Sequence, residues 1–258
     1  MTSPAVTIKL GGTAGAHAAS LAVLVERAEP GWVVVHGGGT EVGDWSRRLG
    51  VEPQTVDGLR VTDPATLEIV VAVLRGLVNA RLVATFAARG VVDAIGMSGV
   101  DGDLLRAERF DPRLGEVGRI TDVNGRLLAA LTAAGHVPIV APIARGDGSQ
   151  LLNVNADEVA GAIAAARGGR LLLLTDVPGV LRDGDPVATL TADEAEGLLA
   201  DETASGGMRP KLRAAVTAAR AGCRVAIVDG RSPGAVRAAL DGVTTGTTVT
   251  AAAVAGIG

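Results

Sequence analysis

Lysine is the rare base in this chain. Of 24 basic side chains only Lys9 and Lys211 are lysines, and the other 22 are arginines. A chain that uses arginine almost everywhere keeps lysine where a compact, flexible ammonium does what a planar guanidinium does not. Codon bias with two chance survivors is the alternative on composition alone. The surroundings weigh against it. Lys9 sits in Ile8-Lys9-Leu10-Gly11-Gly12, an apolar run followed by two glycines. Lys211 closes Ser205-Gly206-Gly207-Met208-Arg209-Pro210-Lys211, a glycine pair leading into a helical pattern with proline in its first turn. Both are places where backbone N–H groups and an ammonium can meet a phosphate. A solvent-facing lysine at a strand end would account for the first motif alone; the pairing of the two calls for an anion site.

Four more motifs could share such a site. His36-Gly37-Gly38-Gly39 follows the apolar run Trp32–Val35 and makes a second anion cradle at a strand-to-helix turn. His36 itself is read as a packing or hydrogen-bonding residue with no chemical role. Gly58-Leu59-Arg60-Val61-Thr62 offers Arg60 as a bidentate carboxylate holder, just before the helix start Asp63-Pro64; a surface arginine fits the same pattern. In Leu152-Asn153-Val154-Asn155-Ala156-Asp157, the two asparagines face one way if extended, Asn155 can cap the next helix and Asp157 falls in its first turn. Capping explains Asn155 well and Asn153 less well. Thr175-Asp176-Val177-Pro178-Gly179-Val180-Leu181 ends a wholly apolar run in a loop suited to a nucleotide. The chain has no GKS or GKT, which disfavours a P-loop, and GGGTEVG departs from a dinucleotide fingerprint.

The elements that must position these residues are read from periodicity. Near-continuous apolar runs at Val6–Leu10, Trp32–His36, Val92–Gly96, Val137–Ala141, Leu171–Thr175 and Arg224–Val228 predict parallel strands buried on both faces. Between them, Ala18–Arg27, Pro64–Ala88, Gly125–Ala134, Ala156–Arg167 and Pro210–Ala221 predict helices. Such alternation predicts an α/β fold, an open, mostly parallel sheet with helices on both faces, and ligands at the carboxyl ends of its strands. Every motif above begins at such an end. The polar stretch Gly99–Val123 reads as a β-hairpin at one edge, and the tail AAAVAGIG as a frayed end. We divide the chain loosely near residue 150, with Arg60 and the hairpin before it and TDVPGVL and SGGMRPK after it.

Composition narrows the classes further. The 258 residues suffice for one large α/β domain, and 48% are hydrophobic. Aromatics at 2% leave no stacking platform for single strands, and a net charge of −4 without a basic run argues against nucleic acid. A single cysteine, Cys223, excludes an intrachain disulfide and fits a reducing compartment. No signal peptide and no apolar run of membrane-spanning length is read, so a cytoplasmic location is expected.

Taken in order, KLGG, HGGG, GLRVT, SGVDG, NVNAD, LLTDVPGVL and GGMRPK resemble the amino-acid kinase family, from Val6 to about Val249, and most closely its acetylglutamate kinase branch. The resemblance implies a three-layer αβα fold with one kinase domain, its lobe of residues 1–150 holding the amino acid and its lobe of residues 151–258 holding ATP. It implies that Lys9 and Lys211 stabilise the transferring phosphoryl group and that Asp157 orients both. Gly12, Gly38 and Gly39 would supply backbone donors. Arg60 and Asn153 would hold N-acetyl-L-glutamate. Asp176, Val177, Pro178, Gly179, Val180 and Leu181, with Thr203, Ala204 and Ser205, would line the nucleotide site. Mg²⁺ would be held mainly by the ATP phosphates.

A glutamate-type carboxylate has a pKa of about 4.3, so at neutral pH it is already the nucleophile and no general base is required. The work lies in bringing two anions together. The sister kinases acting on aminoadipate or glutamate attached to an acidic carrier protein share some of these motifs, but no basic cluster marks a docking face. A non-catalytic amino-acid or nucleotide sensor on the same fold is the other alternative, and it would have no need of Lys9, Asp157 and Lys211 together. Arginine-inhibited members carry an extra N-terminal helix through which they hexamerise; here the first strand starts within about five residues, so the resemblance leads us to expect an arginine-insensitive homodimer.

Overall fold

A computed structural model describes residues 5–11, 18–56, 59–88, 90, 92–182, 184–201, 206–243 and 245–252. Its centre is an eight-stranded sheet in the spatial order Thr189–Thr191, Thr247–Thr250, Arg224–Asp229, Arg170–Thr175, Val6–Leu10, Trp32–His36, His136–Ala141, Asp93–Ser98. The six strands from Arg224–Asp229 to Asp93–Ser98 run parallel, and Thr247–Thr250 is antiparallel to its inner neighbour. Strands buried on both faces have to be apolar throughout. Val33, Val34, Val35, Leu171, Leu172 and Leu173 are all fully buried.

Alternate strand residues feed two separate cores. Val33, Val35, Leu171 and Leu173 pack on one face, with the helices Gly125–Ala133, Ala156–Arg167, Ala192–Ala200 and Met208–Arg220. Ile8, Val34, Leu172 and Leu174 pack on the other, with Ala18–Arg27, Gly39–Arg48, the long helix from Pro64 to Ala87 and Pro233–Leu240. This is the three-layer αβα arrangement expected. Helices Ala156–Arg167 and Met208–Arg220 lie so close that a Cβ at Gly161 would stand 2.8 Å from the Ala214 carbonyl oxygen.

Three findings differ from the sequence expectations. The hairpin Leu105–Arg109 and Val117–Val123 forms as expected, yet not at an edge of the main sheet. With Ile143–Arg145 and Leu151–Val154 it closes a small four-stranded barrel. The chain enters this barrel from the carboxyl ends of Asp93–Ser98 and His136–Ala141, so the barrel stands over the ligand end of the sheet. Secondly, the long helix is interrupted by a π turn at Ala72–Val78. Thirdly, that 24-residue helix is long and apolar enough to cross a membrane by length and composition. Its Ile69, Val70, Val73, Leu74, Val78, Leu82 and Phe86 are instead buried in the core. The tail expected to fray lies, from residue 253 on, outside the described residues.

Candidate active site

Sheet order places the site. The strand Val6–Leu10 carries the following strands of the first half on one side and Arg170–Thr175 on the other. Its carboxyl end is therefore at the switch point of an open parallel sheet, where ligands bind. Lys9 stands there, and only 6% of it is exposed. Gly11 follows because a Cβ at that position would lie 2.4 Å from the Leu174 carbonyl oxygen.

Asp157 is brought to Lys9 by a helix start. Asn155 caps Ala156–Arg167, its side-chain oxygen accepting from the Asp157 and Glu158 backbone N–H groups at 2.9 and 3.3 Å. That cap fixes Asp157 in the first turn, 4% exposed, with Oδ1 3.0 Å from Lys9 Nζ and Oδ2 3.4 Å from Lys211 Nζ. Lys211 also donates to the Gly207 carbonyl oxygen at 3.2 Å, which folds its stem back over the helix N-terminus. Two buried ammoniums thus share one carboxylate. Burial pulls the Lys9 pKa below its ordinary value; Asp157 opposes the shift and Lys211 adds to it. One negative charge does not neutralise two positive ones, so the constellation is built to receive a further anion.

Two cavities meet at this constellation. The first, of about 210 Å³, is lined by Lys9, Gly38, Gly39, Arg60, Asn153 and Asp157 together with the apolar Val42, Leu59, Leu74 and Val117. Arg60 Nη2 donates to the Gly39 carbonyl oxygen at 2.7 Å, and its Nη1 is buried with no protein partner among the described residues. Burial, and Arg47 nearby, lower its pKa. A guanidinium with a spare buried donor is a carboxylate holder. Asn153 Nδ2 donates to Thr62 Oγ1 at 3.1 Å, tying the barrel strand to the segment after Arg60. The second cavity, of about 360 Å³, is lined by Asp176, Val177, Gly179, Val180, Leu181, Met208 and Lys211. Its loop is anchored by Thr247, whose Oγ1 accepts from the Val180 N–H at 2.8 Å.

The helix starts tell the two cavities apart from the rest of the molecule. Helices beginning at Pro64, Gly125, Ala156, Ala192 and Pro233 have side-chain caps from Asp63, Asn124, Asn155, Thr191 and Ser232. Those beginning at Gly39 and Met208 start on Gly38 and Gly207 with no side-chain cap. Their positive dipole ends belong to the two cavities. A third cavity of about 390 Å³ borders the first at Leu59, Val117 and Asn155, but neither lysine lines it.

Of the residues that sequence reasoning singled out, Lys9, Asp157, Gly38, Gly39, Arg60 and Asn153 line the first cavity, and Lys211 lines the second with most of the loop of residues 176–181. Of that loop Pro178 is not in the cavity wall. Gly12, Thr203, Ala204 and Ser205 lie outside the described residues. Sequence reasoning missed the apolar wall, Val117 and Leu74 above all, which come from elements it treated as hairpin and core helix.

Comparison with known proteins gives the family. Residues 5–229 match the model of the amino acid kinase family. The chain belongs to that family. It is 47% identical to an acetylglutamate kinase of Methanopyrus kandleri, over 86% of this chain and 93% of that one. It is also 47% identical to an acetylglutamate kinase of Symbiobacterium thermophilum, over 88% and 85%. The crystal structure of smu.665 from Streptococcus mutans superposes with a TM-score of 0.78 at 27% identity, covering 96% and 98% of the two chains. As a member of this kinase family the chain is an ATP-using enzyme.

Proposed function

We propose that the protein transfers the γ-phosphoryl group of ATP to the side-chain carboxylate of N-acetyl-L-glutamate, in arginine biosynthesis, giving an acyl phosphate and ADP. The observation that carries this reading is the buried Lys9–Asp157–Lys211 constellation between two cavities. The substrate rests also on the relatives named acetylglutamate kinase.

In this reading the first cavity holds the acceptor. Arg60 and Asn153 bind its fixed carboxylate and amide, and the N–H groups of Gly38 and Gly39 face its reacting end. The second cavity holds the nucleotide on the loop Asp176–Leu181, with Thr203, Ala204 and Ser205 completing the wall. An acceptor oxygen forms a bond to the γ-phosphorus as the bond to the bridging oxygen of ADP breaks. Lys9 and Lys211 compensate the charge that builds on the phosphoryl oxygens, and Gly12 adds a backbone donor. Asp157 holds the two ammoniums apart and in place. Mg²⁺ would be carried mainly on the ATP phosphates, where it would screen their negative charge.

The lobes of residues 1–150 and 151–258 would then be the acceptor and nucleotide halves of one domain, and we read the protein as a cytoplasmic homodimer. Incubation with Mg-ATP and hydroxylamine, which traps acyl phosphates, tests the reaction. Signal with N-acetyl-L-glutamate, and none with L-glutamate or N-acetyl-L-aspartate, supports it. Silence with all three, while ATP binds, refutes it in favour of a carrier-linked acceptor or a sensor.

A further inference from the structure

The glycine turn that faces the acceptor cavity is gripped from behind by two buried polar side chains to which the reaction assigns no part. His36 is 1% exposed and Asn79 wholly buried. His36 Nδ1 lies 2.8 Å from the carbonyl oxygen of Gly37. A carbonyl only accepts, so Nδ1 carries the hydrogen and Nε2 presents its lone pair. Asn79 Nδ2 answers it at 3.0 Å and reaches the Ile139 carbonyl oxygen at 2.8 Å. The amide hydrogens are thereby spent on these two acceptors, with the Met97 carbonyl oxygen farther off at 3.5 Å, and the tautomer of His36 is fixed. Burial holds the imidazole neutral, its pKa lowered to about 4.

The rest of the fold makes room for this pair. The Asn79 backbone N–H bonds to the Leu74 carbonyl, an i→i+5 bond of the π turn. That bond stacks Asn79 over Leu74, the residue that packs against Gly38 in the cavity wall. Without it a straight helix would turn Asn79 away from Leu74. On the other side stands Gly96, where a Cβ would come within 2.2 Å of Asn79 Oδ1. A trans peptide is planar, so holding the Gly37 carbonyl toward the ring turns the Gly38 N–H the opposite way. Gly38 itself has φ of 151° and tolerates no Cβ, which would meet Leu74 Cδ2 at 2.6 Å. The helix that this turn begins has no side-chain cap, and the side chains that grip the turn are His36, on the Gly37 carbonyl oxygen, and Arg60, on that of Gly39.

We propose that Asn79 and His36 are positioning residues for phosphoryl transfer, locking the Gly37–Gly38 peptide so that its N–H is aimed at the acceptor and the phosphoryl group. The proposal rests on the reaction given above. In it neither side chain touches substrate; both act through the glycine backbone. Its mark is selective: acceptor handling depends on the pair, and nucleotide binding does not.

The test uses the full chain. The tautomer is read first, with no substrate present, from long-range proton–nitrogen spectra of the imidazoles. With three histidines in the sequence, the signal lost in His36→Asn assigns His36. The Nδ1–H form is expected, and the Nε2–H form overturns the proposal whatever the enzyme acts on. Hydroxamate kinetics follow. His36→Leu is expected to lower kcat/KM for N-acetyl-L-glutamate by roughly 10²-fold, the scale of a small misplacement in a reacting site, while the KM for ATP stays within about twofold. His36→Asn keeps a donor where Nδ1 stood and is expected to recover most of that loss. Gly96→Ala, which never reaches the cavity, is expected to lose acceptor kcat/KM in the same direction. Equal losses in His36→Leu and His36→Asn, a parallel rise in the KM for ATP, or no loss in His36→Leu would each overturn the pair's role. A wild-type protein silent on N-acetyl-L-glutamate would sink the substrate assignment alone, and the tautomer would still decide the pair.

Discussion

Asp157→Asn is the sharpest perturbation of the site, because it keeps shape and removes one charge. Asp157 Oδ1 and Oδ2 lie 3.0 and 3.4 Å from the two ammoniums. At an effective dielectric constant near 20 each contact is a gross attraction of about 5 kcal/mol, offset in part by burying the three groups. In the amide variant the burial penalty stays and the attraction goes. Lys9, whose pKa is already lowered from 10.5 mainly by burial, loses the largest influence that opposes the shift. The protein has a cheaper escape than holding two unpaired charges, which is to release a proton. From the ordinary lysine value of 10.5, deprotonating one ammonium at pH 7 costs at most about 5 kcal/mol at 1.36 kcal/mol per unit. A site with one neutral lysine has lost half the positive charge meant for the phosphoryl oxygens. Loss of one such preorganised group typically costs roughly 10²–10³ in kcat. Because the lowered Lys9 pKa empties its ammonium form as pH rises, the deficit should widen from about pH 6.5 to about pH 8.5. Hydroxamate kinetics across that range, with thermal unfolding in parallel, give the answer. A kcat within tenfold of wild type, or a deficit independent of pH, would refute the shared-carboxylate argument.

Other expectations follow from the same geometry. Lys211→Arg keeps the charge but replaces a flexible point donor with a fork too large for a position 9% exposed, and most turnover should vanish with ATP binding retained. Near-normal turnover would remove the two-lysine reading. Arg60→Lys should raise the KM for the acyl amino acid by about tenfold and leave that for ATP alone, since the spare Nη1 donor faces only the first cavity. Gly161→Ala should lower stability by about 1–3 kcal/mol in urea unfolding, because its Cβ has no room against Ala214. For His36 the sign of the pH effect is set by a folded pKa of about 4 below an ordinary value of 6.5. The unfolded chain binds the proton first as pH falls, so stability drops between about pH 6.5 and 4, by about 3 kcal/mol in all. Urea midpoints for wild type and His36→Asn should diverge at pH 7 and converge toward pH 4.

Much of this was legible in the sequence, for a physical reason. A strand buried on both faces is apolar over most of its length, so Val6–Leu10 and Trp32–His36 stand out as strands, with Lys9 and His36 as the polar residues near their carboxyl ends. Lys9 and Lys211 stood out because a chain rich in arginine kept only two lysines. What stayed hidden depends on contacts between distant segments. The strand Ile143–Arg145 is three residues long, and nothing in its composition says that it closes a barrel with the hairpin. The π turn contains one glycine, Gly76, and is closed by the backbone N–H of Asn79, whose side chain reaches His36 across 43 positions. One signal was nonetheless present. Asn79 is an uncharged polar residue, inside an apolar helical pattern, and a buried amide must find partners. The partner it finds is the histidine of the phosphate-cradle motif, a residue that sequence alone reads as packing or hydrogen-bonding without naming its partner. The same side chains that make this helix apolar enough to pass for a membrane span thus bury an amide that holds the glycine turn. For that reason replacing Asn79 by leucine would improve the helix as a helix, and should still cost the enzyme its acceptor.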